Sequence, residues 1–206
     1  MGRYTGPKNK LARRYGVDLG LKQNSSKVAR RLTQAPGVHG AKRRPASSSF
    51  GKQLVEKQKA KFVYGLRDTQ LRRLVNLATG MSGDSGMNLM QLLEKRMDNL
   101  VYRLGFAGTR AQARQMVTHN MFTLNGKKMN IASHLVSVGD VVALKPTKAK
   151  SKLFDGLEER LQAKNLPSWV SVDPSAKTGK VLNEPAQADL EHIFDVTQII
   201  EFYSTR

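Results

Sequence analysis

The amino-acid sequence predicts an α+β protein that combines a mainly helical domain, a small inserted unit and a basic, poorly cored N-terminal arm. In the inserted unit we expect two short helices packed on a small, mostly antiparallel sheet. Apolar residues repeat at helical spacing from Leu89 to Leu104, which predicts an amphipathic helix. The pair Asn125-Gly126 lies between alternating residues and predicts a β-hairpin. The first 50 residues are basic and rich in turn formers, which predicts an arm with little core.

These patterns divide the chain into four segments. They are the arm at residues 1–50, the helical domain at 51–87 completed by 170–206, the inserted unit at 88–150, and a helix with its connection at 151–169. In the arm we expect short helices near residues 10–15 and 27–32, followed by a linker that begins at Arg43-Arg44-Pro45. Because the arm offers few apolar residues, we expect a binding partner to order it.

The helical domain is predicted from two runs of helical periodicity, at residues 51–64 and from Asp68 to Ala78. Chain ends often lie near each other, so the last residues are expected to pack back on these helices. Residues 190–203 fit either a helix or a strand. Trp169 is the only tryptophan; we interpret it as a packing residue in preference to a platform for base stacking.

The inserted unit contains the pattern that indicates an RNA-binding surface. Gly105 ends its first helix, and Thr109 with Gln112 three residues later forms a capping-box signal for the second. Arg110 and Arg114 lie four residues apart and therefore on one helix face. The start of a helix can present N–H groups to a phosphate, and structured RNA is recognised mostly through its shape and backbone. Spacing alone fits an ordinary solvated helix face equally well.

The distribution of charge along the chain also supports binding to a nucleic acid. The net charge is +19, with 16 basic and 2 acidic residues in 1–61, 13 and 5 in 62–150, and 6 and 9 in 151–206. A basic part followed by a mildly acidic tail is typical of a nucleic-acid-binding protein with a separate protein-facing surface. An anionic membrane surface is the rival partner, but no amphipathic helix rich in Trp and Phe is evident. The sequence has no apolar run that could span a bilayer and no signal peptide, so we expect the protein to stay where it is made.

A resemblance to a known family sharpens these expectations. Residues 88–145 resemble the S-four RNA-binding domain, through Arg96-Met97-Asp98-Asn99, Tyr102-Arg103-Leu104-Gly105, Thr109-Arg110, Gln112-Ala113-Arg114, His119 and Leu124-Asn125-Gly126-Lys127. Almost the whole chain resembles the S-four family of small-subunit ribosomal proteins, through Gly2-Arg3-Tyr4-Thr5-Gly6-Pro7, Arg13-Arg14-Tyr15-Gly16, Ala35-Pro36-Gly37-Val38-His39-Gly40, Glu56-Lys57-Gln58-Lys59, Tyr64-Gly65-Leu66 and Ile200-Glu201-Phe202-Tyr203-Ser204. The fragments occur in the family's order, which makes the resemblance specific.

The resemblance implies a structural constituent of the small ribosomal subunit that binds 16S-type ribosomal RNA, nucleates assembly and contributes to translational accuracy. The implied partners are this RNA, neighbouring ribosomal proteins including the S-five family, and messenger RNA near the path by which it enters; no membrane and no small-molecule substrate are expected. The implied location is a cytoplasmic ribosome, with a plastid ribosome as the other possibility. The alternative function is a free-standing RNA chaperone or ribosome-associated factor that uses the same domain.

Charge, spacing and resemblance together select the candidate RNA-binding residues. They are Arg3, Lys8, Lys10, Arg13, Arg14, Arg43, Arg44, Lys57, Lys59, Lys61, Arg67, Arg72, Arg73, Arg103, Arg110, Gln112, Arg114, His119, Asn125 and Lys127. For Asn125, a role in the hairpin turn would by itself explain the residue.

No cofactor and no catalysis are expected. The chain has no cysteine, whereas many members of the family hold a structural zinc with cysteines near the N-terminus; this chain resembles a zinc-free branch. His39 alone cannot form a tetrahedral zinc site and is interpreted as a turn residue. Arg96-Met97-Asp98 is similar to the catalytic motif of pseudouridine synthases, but the chain has no room for their catalytic domain, and no nucleophile is paired with a base.

Overall fold

We describe the protein from a computed structural model, in which residues 4–40, 47–149, 151–163 and 165–204 are described. The fold is α+β, as predicted. The α-helices in this part of the chain are α1 (Lys8–Tyr15), α2 (Ser25–Ala29), α3 (Ser49–Val63), α4 (Asp68–Gly80), α5 (Ser85–Glu94), α6 (Met97–Arg103), α7 (Arg110–Thr118), α8 (Pro146–Ala149), α9 (Leu157–Gln162) and α10 (Val196–Ser204). The strands are β1 (Phe122–Leu124), β2 (Lys127–Met129), β3 (Val141–Leu144), β4 (Val170–Asp173) and β5 (Thr178–Val181).

The chain divides into two compact units. The first comprises Met1–Met90 and Glu191–Arg206, and the second comprises Gln91–Leu190. These boundaries differ from the predicted ones, because the second unit begins at Gln91 and includes residues 151–190. We expected residues 151–169 to form a separate helix and connection and residues 170–190 to belong to the helical domain. The physical reason is strand pairing, because β5 adds to β3 and β4 adds to β5.

The first unit is built on the packing of α10 against α3. The helix α3 begins after Ser48, whose hydroxyl accepts a hydrogen bond from the N–H of Gly51 at 3.2 Å, a common way to satisfy a helix start. Residues 196–204 are a helix, which resolves the ambiguity of the sequence pattern. The helix α10 buries Ile199 and Phe202, and the ring of Phe202 stacks on that of Phe50 at a centroid distance of 5.6 Å.

The N-terminal arm contributes few apolar side chains to this unit. Its helices α1 and α2 lie close to the predicted positions, although α2 is shorter than expected. The buried apolar residues among the described residues of the arm are Leu11, Ala12, Leu19 and Val28. Tyr15 also contacts the ring of Phe62 on α3, at a centroid distance of 6.2 Å.

In the second unit α6 packs against α7, and both helices share one apolar core with a five-stranded antiparallel sheet of order β2-β1-β3-β5-β4. The predicted hairpin is confirmed, since β1 and β2 pair across Asn125-Gly126. Trp169 is 1% exposed and lies in the core of this unit, which confirms the packing interpretation. A Cβ atom at Gly179 would lie 2.5 Å from Leu104 Cδ1, so the sheet approaches α6 too closely there for a side chain.

The predicted continuous helix from Leu89 to Leu104 is wrong. Helix α5 ends at Glu94, α6 begins at Met97, and Arg96 between them has extended backbone angles and forms a bridge with Leu135. The N–H groups of Met97 and Asp98 donate to carbonyl groups of the 132–134 segment. A distant segment therefore satisfies the N–H groups that a continuous helix would have used.

The segment after Pro146 also differs in detail from the single predicted helix at residues 151–164. A 3-10 turn at Lys152–Phe154 is followed by α9, and Gly156 between them has a positive φ of 65°. None of the helices in the described ranges combines the length and the apolar character that crossing a membrane requires.

Candidate nucleic-acid interface

Two buried carboxylates lie at the break between α5 and α6. Glu94 has no exposed side-chain surface and accepts two hydrogen bonds from Arg103, from Nε at 2.6 Å and from Nη2 at 2.8 Å. Asp98 accepts two from Arg96, from Nε at 3.1 Å and from Nη2 at 2.8 Å. Such two-point arginine–carboxylate pairs are strong and geometrically specific, so each acid is firmly held.

Asn99 links the first pair to the second helix of the predicted RNA-binding surface. Its Nδ2 donates to Glu94 Oε2 at 2.9 Å, and its Oδ1 accepts a hydrogen bond from Arg110 Nε at 2.8 Å. The guanidinium of Arg110 also lies over the ring of Tyr102, 4.6 Å from the centroid. Arg110 is therefore buried, with 8% exposure, whereas we expected it on the outer surface; the reason is that Asn99 and Tyr102 enclose it.

Arg114, unlike Arg110, is only partly buried. Its Nη1 donates to Asp98 Oδ2 at 2.9 Å, while 24% of its side chain remains exposed. Among the described residues, ion pairs join the four arginines at residues 96, 103, 110 and 114 to two carboxylates, at residues 94 and 98. The cluster therefore keeps an excess of positive charge at the start of α7, which is the end of the helix dipole that attracts anions.

The predicted N-cap of α7 at Thr109 is confirmed, but the capping box is not closed, because Gln112 bonds to Gly108 and not to the N-cap residue itself. Thr109 Oγ1 accepts a hydrogen bond from the N–H of Gln112 at 3.2 Å, and Gln112 Oε1 accepts one from the N–H of Gly108 at 3.0 Å. Gln112 is thus engaged in shaping the helix start. At the other end of α7, His119 is exposed and follows the last helical residue.

The hairpin gives Asn125 a structural role. Its φ of 49° lies in the left-handed region, which Asn tolerates better than most residues. Its Nδ2 donates to Asp140 Oδ1 at 2.7 Å, and its Oδ1 accepts a hydrogen bond from the N–H of Val141 at 2.8 Å. Lys127, two residues later, is exposed on the edge strand β2.

In the first unit, the three candidate lysines of α3 are engaged with neighbours. Lys57 is buried, with Nζ 2.8 Å from Asp68 Oδ1 and 4.5 Å from the centroid of Phe202. Lys59 forms an ion pair with Glu56 at 2.7 Å. Lys61 lies over the ring of Phe62, 5.4 Å from its centroid.

Other candidates of the first unit reach the surface. Arg67, Arg72 and Arg73 are exposed at and along the start of α4, and Lys10 and Arg14 are exposed four residues apart on α1. Lys8 is half-buried. Arg13 donates to the carbonyl oxygens of Gln34 at 2.8 Å and Ala35 at 3.3 Å, so its charge serves the fold of the arm. Arg3, Arg43 and Arg44 lie outside the described residues.

Sequence reasoning missed Glu94, Asp98 and Asn99 as members of this site. A signal was present, because Glu94 and Asp98 lie within a run of apolar residues, and acids are almost never fully buried unless they are paired. Within the described ranges, no three His, Asp or Glu side chains lie close enough together to hold a metal ion.

Comparison with known proteins identifies the class and then the family. Residues 3–94 match the family model described as Ribosomal protein S4/S9 N-terminal domain, and residues 95–142 match the S4 domain. These matches define the class, which is a ribosomal-type protein that carries an S-four domain.

Relatives of the same length give the family. The small ribosomal subunit protein uS4 of Herpetosiphon aurantiacus is 46% identical over 99% of this chain and 100% of its own length. The uS4 protein of Roseiflexus castenholzii and the uS4A protein of Psychromonas ingrahamii are each 42% identical with the same coverage. The chain belongs to the uS4 family of small-ribosomal-subunit proteins, which confirms the resemblance stated from its motifs.

Proposed function

We propose that this chain is a structural, non-catalytic constituent of the small ribosomal subunit that binds 16S-type ribosomal RNA directly. The observation that carries the proposal is the full-length similarity to proteins named for that subunit, 46% identity over 99% of the chain. The S-four domain match at residues 95–142 supports binding to RNA in particular. The net charge of +19 supports an anionic partner.

The proposed mechanism is electrostatic. Lysine and arginine side chains neutralise phosphates and release counterions, so that affinity falls steeply as salt rises. The surface cations proposed as phosphate contacts are Lys10, Arg14, Arg67, Arg72, Arg73, Arg114 and Lys127, with His119 at the end of α7. Because a phosphate contact is made singly and at the surface, the loss of any one of them is expected to weaken binding modestly.

The remaining candidates are proposed to act indirectly. Arg103, Arg110, Gln112 and Asn125 are engaged with other protein groups, and they would hold the RNA-binding surface in shape. Lys57 is paired with Asp68 and would stabilise the fold of the first unit. Arg3, Lys8, Arg43 and Arg44 remain proposed contacts of the arm, as do Lys59 and Lys61 of α3. Arg13, which joins α1 to the carbonyls at 34 and 35, is proposed to order that arm.

The wider role follows from the family. We propose that the protein nucleates small-subunit assembly and contributes to translational accuracy through contacts with neighbouring ribosomal proteins, including the S-five family, and that it lies near the path by which messenger RNA enters. It would act on the ribosome, cytoplasmic or plastid, without zinc. The alternative of a free-standing RNA chaperone is less well supported, because the match at residues 3–94 is to a ribosomal N-terminal domain as well.

A filter-binding titration tests the proposal. Purified protein is titrated against small-subunit ribosomal RNA free of other proteins, at several salt concentrations, with large-subunit RNA as competitor. We expect tight binding that the competitor does not remove. Equal displacement by large-subunit RNA would mean that the protein is only a general cationic RNA binder.

A double substitution tests the proposed phosphate contacts on α4. Arg72→Gln with Arg73→Gln is expected to weaken RNA binding and to lower the slope of its salt dependence by about 1.5. The matched control is Arg160→Gln.

A further inference from the structure

We propose that Asp98, a buried carboxylate, is a positioning residue for RNA binding, because it fixes the guanidinium of Arg114 in the orientation that meets an RNA phosphate. This inference rests on the proposed function and adds to it an acidic residue on which RNA affinity depends. A carboxylate ordinarily repels a polyanion, so charge alone predicts that removing Asp98 strengthens RNA binding. The proposal predicts the opposite, that its removal weakens RNA binding.

The geometry of Asp98 makes it a fixed point. Its side chain is 6% exposed. Oδ1 accepts hydrogen bonds from Arg96 Nε at 3.1 Å and from the N–H of Asn99 at 3.0 Å. Oδ2 accepts from Arg96 Nη2 at 2.8 Å and from Arg114 Nη1 at 2.9 Å. A carboxylate offers about four acceptor positions, so all of them are occupied and the group cannot rotate without losing bonds.

Arg96 neutralises the negative charge of Asp98, which would otherwise repel an RNA phosphate. It is 2% exposed and contacts Asp98 through two of its nitrogens, so the charges of these two residues cancel. The second cation, Arg114, is then left with its positive charge uncompensated. The trio of Arg96, Asp98 and Arg114 carries one net positive charge, and that charge lies on the partly exposed side chain.

Arg114 has donors to spare. A guanidinium carries five N–H donors in a rigid fork, and the partner that this side chain has among the described residues is Asp98, through Nη1. With 24% of the side chain exposed, the other side of the fork is accessible to a phosphate oxygen. Because Asp98 already restricts the side chain, less conformational entropy is lost when RNA binds.

This arrangement distinguishes arginine from lysine. An arginine can bond to Asp98 with one nitrogen and to a phosphate with another, whereas an ammonium is a single point charge on a flexible stem. If only the charge at this position mattered, Arg114→Lys would bind RNA like the unaltered protein. Under the proposal it loses the bridging geometry and with it affinity.

The test compares Asp98→Asn, Arg114→Lys and the double variant in the full-length protein. Dissociation constants for small-subunit ribosomal RNA are measured by filter binding across salt concentrations, and folding is checked by thermal unfolding. We expect each single variant to bind about fivefold more weakly, and the double variant to bind no more weakly than either single one. The matched control is Arg160→Lys, an arginine of the same unit whose side chain bonds to backbone carbonyls and which should leave affinity unchanged.

The outcomes separate this inference from others. Full affinity in Arg114→Lys, full affinity in a folded Asp98→Asn, or additive losses in the double variant would overturn it. A purely structural effect of Asp98→Asn would lower the unfolding temperature and leave the salt dependence of binding intact; the proposal requires that dependence to fall by about 0.7 in slope. If Asp98→Asn does not fold, Arg114→Lys against Arg160→Lys decides. Failure of the proposed function would appear instead in the unaltered protein, as equal binding to large-subunit RNA.

Discussion

Lys57 was predicted as an RNA contact, and the structure gives it a role inside the first unit that can be tested directly. Its ammonium lies 2.8 Å from Asp68 Oδ1 and 4.5 Å from the ring centroid of Phe202. One cation thus joins the start of α4 to the C-terminal helix α10. Replacing Lys57 by Met keeps most of the apolar stem and removes the ammonium alone, so the variant isolates the contribution of the charged group.

The expected cost can be worked out from the two contacts. Asp68 is 53% exposed, so water can solvate it after the change, and the ion pair is worth about 1 kcal/mol. A cation over an aromatic face, partly removed from water, is worth about 1 kcal/mol more. Opening of α10 breaks the contact with Phe202 but leaves the ion pair between α3 and α4 in place. We therefore expect the free energy of opening of α10 to fall by about 1 kcal/mol, which raises the opened fraction about fivefold, and the free energy of unfolding of the whole unit to fall by about 2 kcal/mol.

The assay is amide hydrogen exchange of the α10 segment, combined with RNA filter binding on the same samples. Lys57→Met should accelerate exchange in α10 and leave RNA affinity within about twofold at a temperature where the protein is folded, since the ammonium is buried. Lys52→Met is the matched control, because Lys52 is an exposed lysine on the same helix. If Lys57→Met instead weakened RNA binding and left exchange in α10 unchanged, the assignment of Lys57 to the fold would be refuted.

Three further outcomes can be checked by unfolding experiments. Asn125→Ala should lower stability by about 2 kcal/mol in urea unfolding, because alanine is strained at a φ of 49° and the hydrogen bonds of Asn125 with Asp140 and Val141 are lost; an unchanged midpoint would contradict this. Gly179→Ala should cost about 1–3 kcal/mol through overpacking on Leu104, and Gly80→Ala, where nothing lies within 4 Å of the added Cβ, is the comparison without a clash. Burial, and then the Asp68 carboxylate, raise the pKa of Tyr203, so the unfolded state loses its proton first and stability should fall above the ordinary tyrosine pKa of about 10; Tyr203→Phe should reduce that fall in unfolding measured against pH.

The sequence patterns were informative where the deciding interactions are local. The N-cap bond of Thr109 to Gln112 and the Asn125-Gly126 turn each depend on residues within four positions, and both form as predicted. Helical spacing also placed Arg110 and Arg114 correctly on one helix. The physical cause of each of these features therefore lies in the neighbouring residues of the sequence.

The errors occur where a distant segment decides the local structure. The helix break at Arg96 follows from pairing with Leu135 and from backbone hydrogen bonds to the 132–134 segment. No residue between Leu89 and Leu104 is a helix breaker that would predict it. Strand β5 joins the sheet through β3, which the alternation of a four-residue segment cannot specify. Arg110 looked like a surface cation because its enclosing partners, Asn99 and Tyr102, belong to the preceding helix.

Because the chain has no cysteine, no cysteine-held zinc can contribute free energy to the ordering of the N-terminal arm. A structural zinc contributes about 10–16 kcal/mol to the folding of a small domain, whereas a hydrogen bond contributes about 1 kcal/mol. Arg13 provides two such bonds, to the carbonyls of Gln34 and Ala35, so this link is far weaker than a metal. We therefore expect RNA to supply much of the ordering free energy. Amide exchange in residues 4–40 should slow markedly when small-subunit RNA is added; strong protection in the free protein would contradict this expectation.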